Sequence, residues 1–130
     1  MENAIEVRGL CKRYPDFQLQ DVSFTVPGGS IVGFIGENGA GKTTTMRAIL
    51  GTLRPDGGEV TVLGKPAGHT KTLAQVGAVF EDAFFYEILS PAEVGACLAS
   101  IQPGFDREYY RQLLAEFELP PAKKMKDFSR

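Results

Sequence analysis

Gly36-Glu37-Asn38-Gly39-Ala40-Gly41-Lys42-Thr43 decides how this sequence reads. The octet fits G-x-x-x-x-G-K-[ST] at every position. Its glycines let backbone N–H groups turn toward phosphate oxygens with no Cβ in the way. A helix opening directly behind the loop adds unpaired N–H groups and the positive end of its dipole to the same anion. Lys42 supplies a mobile positive charge for the β- and γ-phosphates, and Thr43 offers a hydroxyl to Mg²⁺. Even at this chain's glycine content, chance produces such an octet in on the order of 1% of chains of this length. The flanks sharpen it. Ile31-Val32-Gly33-Phe34-Ile35 is a continuous apolar run suited to a strand covered on both faces. Met46, Ile49, Leu50 and Leu53 recur at i, i+3, i+4, i+7, which predicts a helix. The expected ligand is a nucleoside triphosphate, ATP first. Gly36, Glu37, Asn38, Gly39, Ala40, Gly41, Lys42, Thr43 and Thr44 form its cradle.

Upstream, Ile5 and Val7 alternate with Glu6 and Arg8 as in a half-buried strand, and Pro15-Asp16 marks a turn. Phe17 and Leu19 then alternate in one phase, while Val22, Phe24 and Val26 alternate in the other. The slip at Gln20-Asp21 predicts a bulge. Downstream, Arg54-Pro55-Asp56-Gly57-Gly58 stops the helix. Val60 and Val62 start another strand, ended by Gly64-Lys65-Pro66, and Val76–Phe80 reads as a second buried strand.

Beyond Phe80 the pattern turns helical. Ser90-Pro91-Ala92-Glu93 is a capping box with proline at the first helical position, with Leu89 and Val94 spaced as a hydrophobic staple. Val94, Cys97, Leu98 and Ile101 are its expected buried stripe. Asp106 caps the next helix, with Phe105 and Tyr110 as staple and Tyr110, Leu113, Leu114 and Phe117 as stripe. Pro120-Pro121 ends it, and the tail from Ala122 to Arg130 is basic without a clear period.

Composition is that of an ordinary globular domain, with 130 residues and a net charge of −2. The absence of any basic block argues against nucleic acid as the main partner. No stretch approaches the ~18–20 apolar residues of a membrane helix. The N-terminus lacks the charged-then-apolar pattern of a signal peptide. Cys11 and Cys97 form no ligand pattern and read as reduced thiols in a cytosolic protein.

The loop has company. Gly9-Leu10-Cys11-Lys12-Arg13-Tyr14 and Gln20-Asp21-Val22-Ser23-Phe24-Thr25-Val26-Pro27-Gly28-Gly29-Ser30-Ile31 precede it. Leu50-Gly51 and Pro55-Asp56-Gly57-Gly58-Glu59-Val60 follow it. In this order they resemble the nucleotide-binding subunit of an ABC transporter, most specifically over residues 5–64. The resemblance implies an α/β fold, a P-loop NTPase of ABC type. It would hold N-terminal antiparallel strands, part of a parallel core sheet carrying the Walker A loop, and helices of a helical subdomain. Residues 1–89 would be the first part of the ATPase core and 90–130 part of the helical subdomain. The resemblance implies that Tyr14 stacks on adenine. It also places Glu81 where the family carries a glutamine that touches Mg²⁺ and the attacking water. That is a departure, since a carboxylate binds Mg²⁺ more strongly than an amide and adds negative charge near the γ-phosphate. Phe84-Phe85-Tyr86 then falls where a core and a face toward a membrane partner's helix both fit.

Lys124-Met125-Lys126-Asp127-Phe128-Ser129-Arg130 resembles the lead into the family's signature. The signature itself, the acidic Mg²⁺ strand, the catalytic glutamate and the switch histidine are expected past Arg130. His69, the only histidine, lies too early to be that switch. The resemblance further implies a transmembrane permease partner, a second nucleotide-binding subunit, and a cytoplasmic site on the inner face of the membrane. In the resembling family the P-loop strand and the strand ending at Phe80 are not neighbours, and the strands between them would come from later sequence, so the chain should expose apolar strand edges and tend to self-associate. Two other readings compete: a soluble ABC-type ATPase, and a small complete P-loop kinase using Glu81 or Asp82 as metal ligand. The second lacks any evident acceptor site or catalytic base.

Overall fold

The computed structural model describes residues 2–37, 39–81 and 86–128, which divide into two units, Met1–Val76 and Gly77–Arg130. In the first, the alternating N-terminal segments form β1 (Asn3–Tyr14) and β2 (Phe17–Pro27), an antiparallel hairpin. β3 (Gly57–Val62) pairs antiparallel on the other edge of β1, with the two-residue β4 (Lys65–Pro66) beyond it. The sheet order is β2-β1-β3-β4. α1 (Lys42–Ile49) adds Ala48 and Ile49 to a core with Val7, Leu10, Leu19, Val60 and Val62.

The predicted slip at Gln20-Asp21 is present. Between the pairs Leu10↔Val22 and Lys12↔Leu19, β2 carries one residue more than β1, and Asp21 takes φ 47°. A second bulge at Gly9, φ 58°, adds one residue to β1 between Val7↔Phe24 and Leu10↔Val22. The two offset each other, so Leu10 and Leu19 both return to the core. The Gly9 N–H donates to Ser23 Oγ at 2.8 Å. Gly58 backs onto this bulge: at φ 86°, a Cβ there would lie 2.3 Å from the Gly9 carbonyl oxygen.

α1 is shorter than its sequence pattern. It ends at Ile49, Met46 is exposed, and the buried positions are Thr45, Ala48 and Ile49. Gly51, φ 72°, ends it: Thr52 N–H donates to the Arg47 carbonyl and Gly51 N–H to the Ala48 carbonyl, a Schellman closure. Asp56 then ties the following turn to β1. Its N–H donates to the Cys11 carbonyl at 2.9 Å, and its carboxylate accepts the Arg13 N–H at 2.8 Å. That N–H, chiefly, holds the carboxyl below its ordinary pKa. The charge of Lys12, 3.5 Å away, adds to this and partial desolvation opposes it. α2 (Thr70–Leu73) is a single turn whose His69 cap contacts Thr72 Oγ1 at 3.3 Å.

Two expected strands do not form. Ile31–Ile35 and Val76–Phe80 carry no ladder among the described residues, and Ile31, Ile35 and Val79 are fully exposed. A strand exists only by pairing, and every described ladder is antiparallel and made by β1 to β4. Apolar side chains are exposed at these segments, but not as the strand edges expected.

In the second unit, Ser90 and Glu93 close the capping box of α3 (Pro91–Ile101), and Asp106 caps α4 (Arg107–Glu116). The Phe105–Tyr110 staple forms with ring centroids 5.3 Å apart. The expected stripes are only partly buried. Val94 and Leu114 are buried, but Cys97, Ile101 and Phe117 are exposed. The packing face runs through Gly95, whose missing side chain admits the Tyr110 ring, and Tyr110 Oη donates to the Pro91 carbonyl at 2.6 Å. The tail is not structureless: a 3₁₀ turn, Met125–Asp127, sends the N–H groups of Met125 and Lys126 to the Leu89 and Glu87 carbonyls.

Candidate phosphate-binding site

Gly41 opens α1 at φ 98°, and no side chain caps the helix. The first intrahelical bond runs from Thr45 N–H to the Gly41 carbonyl at 2.9 Å, doubled by the buried Thr45 hydroxyl at 2.8 Å. The N–H groups of Lys42, Thr43 and Thr44 precede it and have no partner within the helix. They border a cavity of about 460 Å³ lined by Gly39, Gly41, Lys42, Thr43 and Thr44 from the loop and by Asp16 and Phe17 from the β1–β2 turn. Lys42 Nζ donates to the Gly36 carbonyl, bridging the two ends of the loop. Ala40 N–H closes a turn onto the Glu37 carbonyl at 3.1 Å. Asn38 lies outside the described residues.

Such an arrangement binds an oxyanion: backbone donors at a helix start, an ammonium, and two hydroxyls. Thr43 Oγ1 would give Mg²⁺ its protein ligand. That fits an ion that usually keeps waters and phosphate oxygens for its other positions.

Phe17 and Asp16 are lining residues that the sequence reading missed. Phe17 Cζ would lie 3.0 Å, and Leu19 Cδ1 2.5 Å, from a Cβ on Gly41, so β2 presses on the bare backbone of the loop. Tyr14 stands one ring further out. It is 40% exposed, stacked on Phe17 at 6.4 Å and 27°, with Lys12 Nζ 5.9 Å from its centroid. Glu81 sits exposed in a turn of the second unit, and Asp82, Phe84 and Phe85 lie outside the described residues. Tyr86 is exposed.

A family model described as ABC transporter matches residues 19–128. The chain belongs to the ABC transporter family. This ABC chain is 39% identical over 101 residues to an uncharacterized ABC transporter ATP-binding protein of Synechocystis, covering 78% of this chain and 28% of that one. It is 47% identical over 76 residues to the energy-dependent translational throttle protein EttA of Haemophilus influenzae, covering 58% of this chain and 13% of that one. A solved structure titled as the ATP binding subunit of an ABC transporter superposes at a TM-score of 0.80 and 32% identity, over 97% of this chain and 56% of the other. The fold is therefore that of part of an ABC nucleotide-binding domain, of P-loop NTPase type. The ABC chain spans less than half the length of the two relatives named.

Proposed function

We propose that the chain binds Mg·ATP in the Gly36–Thr44 loop, and that its parent protein couples ATP hydrolysis to transport through a membrane permease. The observation that supports this best is the uncapped start of α1, with Lys42, Thr43 and Thr44 around one cavity. Residues 1–89 serve as the first part of the ATPase core and 90–130 as part of the helical subdomain. The working state pairs two nucleotide-binding subunits on a permease, at the cytoplasmic face of the membrane, with no nucleic acid involved. Thr43 contributes to the Mg²⁺ site.

Calorimetry on this chain tests the cradle. Lys42→Ala should weaken Mg·ATP binding at least tenfold, about 1.4 kcal/mol. Equal affinities would remove the phosphate assignment. In the same titration Tyr14→Ala should lower affinity and Tyr14→Phe should keep it, since stacking needs only a π-face worth ~1–3 kcal/mol. If the two variants were equally damaging, the hydroxyl and not the ring would be the active part.

A second reading, an ABC ATPase that works without a permease, draws on the identity to the translational throttle protein. Fractionation of the full-length parent separates the two: association with membranes supports transport, association with ribosomes the alternative.

A further inference from the structure

We propose that Asp16 reads the sugar of the bound nucleotide, its carboxylate accepting hydrogen bonds from the ribose hydroxyls; this rests on the nucleotide-binding reading above. The N–H groups of Lys42 to Thr44 and the Lys42 ammonium fix where the phosphate chain lies. The nucleoside must extend away from them. Among the described residues, the other element lining the cavity is the β1–β2 turn, through Asp16 and Phe17. That turn is held in place, because Phe17 and Leu19 close on Gly41, the residue that starts α1. Phe17 and the Tyr14 ring stacked on it offer an apolar face to the nucleoside.

Donor chemistry then assigns Asp16. An ionised carboxylate has acceptors only. Phosphate oxygens are acceptors as well and carry the same charge, so Asp16 repels the phosphate end. The sugar brings two hydroxyl donors, which carboxylates accept in dinucleotide sites of unrelated folds. Among the described residues the carboxylate is also uncommitted. None of the three ion pairs among the described residues involves Asp16, whereas Asp56 is engaged by both Arg13 and Lys12.

The test compares ATP, 2′,3′-dideoxy-ATP and inorganic tripolyphosphate, each with Mg²⁺, on the full chain by calorimetry. The unsubstituted chain should prefer ATP over the dideoxy analogue by about tenfold, the range of a hydrogen bond to a charged group. Asp16→Ala should bring the two within about twofold while leaving tripolyphosphate affinity unchanged. Asp16→Asn, which keeps the turn-forming shape, should lower the preference in the same direction. Equal binding of ATP and the dideoxy analogue by the unsubstituted chain would overturn the proposal, as would a preference that survives Asp16→Ala. Parallel loss of tripolyphosphate binding in Asp16→Ala would also overturn it, assigning the carboxylate to metal or to loop structure. Failure of the unsubstituted chain to bind either ATP or tripolyphosphate would instead remove the nucleotide reading itself.

Discussion

Mg·ATP incubated with the purified 130-residue chain should be hydrolysed no faster than with its Lys42→Ala variant, at any protein concentration. Phosphoryl transfer depends on positioning and charge stabilisation by several groups acting together. These residues supply the loop, Lys42 and Thr43. The family resemblance implies four more requirements: a signature reaching across a dimer, an acidic Mg²⁺ strand, a catalytic glutamate and a switch histidine. No segment among these residues matches them, and the single histidine is the cap of a one-turn helix. Loss of one group that acts as part of a unit already costs on the order of 10⁴- to 10⁶-fold in rate. A coupled-enzyme assay at increasing protein concentration checks this. Robust turnover abolished by Lys42→Ala would revive the small complete enzyme with Glu81 or Asp82 on the metal.

Gly58→Ala should cause a large loss of stability. The added methyl would meet three backbone atoms, 2.3 Å from the Gly9 oxygen and 2.5 Å from the Arg8 oxygen and the Gly9 carbonyl carbon. Backbone cannot swing aside as a side chain can, and φ 86° strains any residue with a Cβ. A loss of about 2–4 kcal/mol is expected, a large part of a typical total of ~5–15 kcal/mol. Gly29→Ala is the control. It has the same sign of φ, 73°, with nothing within 4 Å of the new methyl, so it carries strain of ~1 kcal/mol and no clash. Urea unfolding followed by circular dichroism compares the two. A midpoint shift no larger for Gly58→Ala than for Gly29→Ala would show that the β1–β3 junction yields.

What could be read from the sequence was local. The loop and the helix behind it, the Ser90–Glu93 box, the Asp106 cap and the Gln20-Asp21 slip each depend on residues a few positions apart. Each is found in the structure. The bulge at Gly9 escaped because nothing distinguishes a bulge glycine from any other without its partner strand. Phe17 and Asp16 escaped for a similar reason. Their place beside Gly41 is a tertiary relation across more than twenty residues, and the only available clue was the Pro15-Asp16 turn. Ile31–Ile35 and Val76–Phe80 were read as strands from composition, but pairing is a property of neighbours and not of the segment. The helix stripes were overdrawn because periodicity gives a face without saying what covers it; Ile101 and Phe117 remain in solvent.

Both ends of α1 are tied to the same hairpin. Gly41 rests on Phe17 and Leu19, and beyond the helix Asp56 is bound to Cys11 and Arg13. The helix start and the Phe17 ring are thus held close against one another in a single braced frame. A change in the hairpin is therefore carried to the phosphate-facing backbone: trimming Phe17 or Leu19 would remove the wall on which Gly41 rests, although neither residue belongs to the loop.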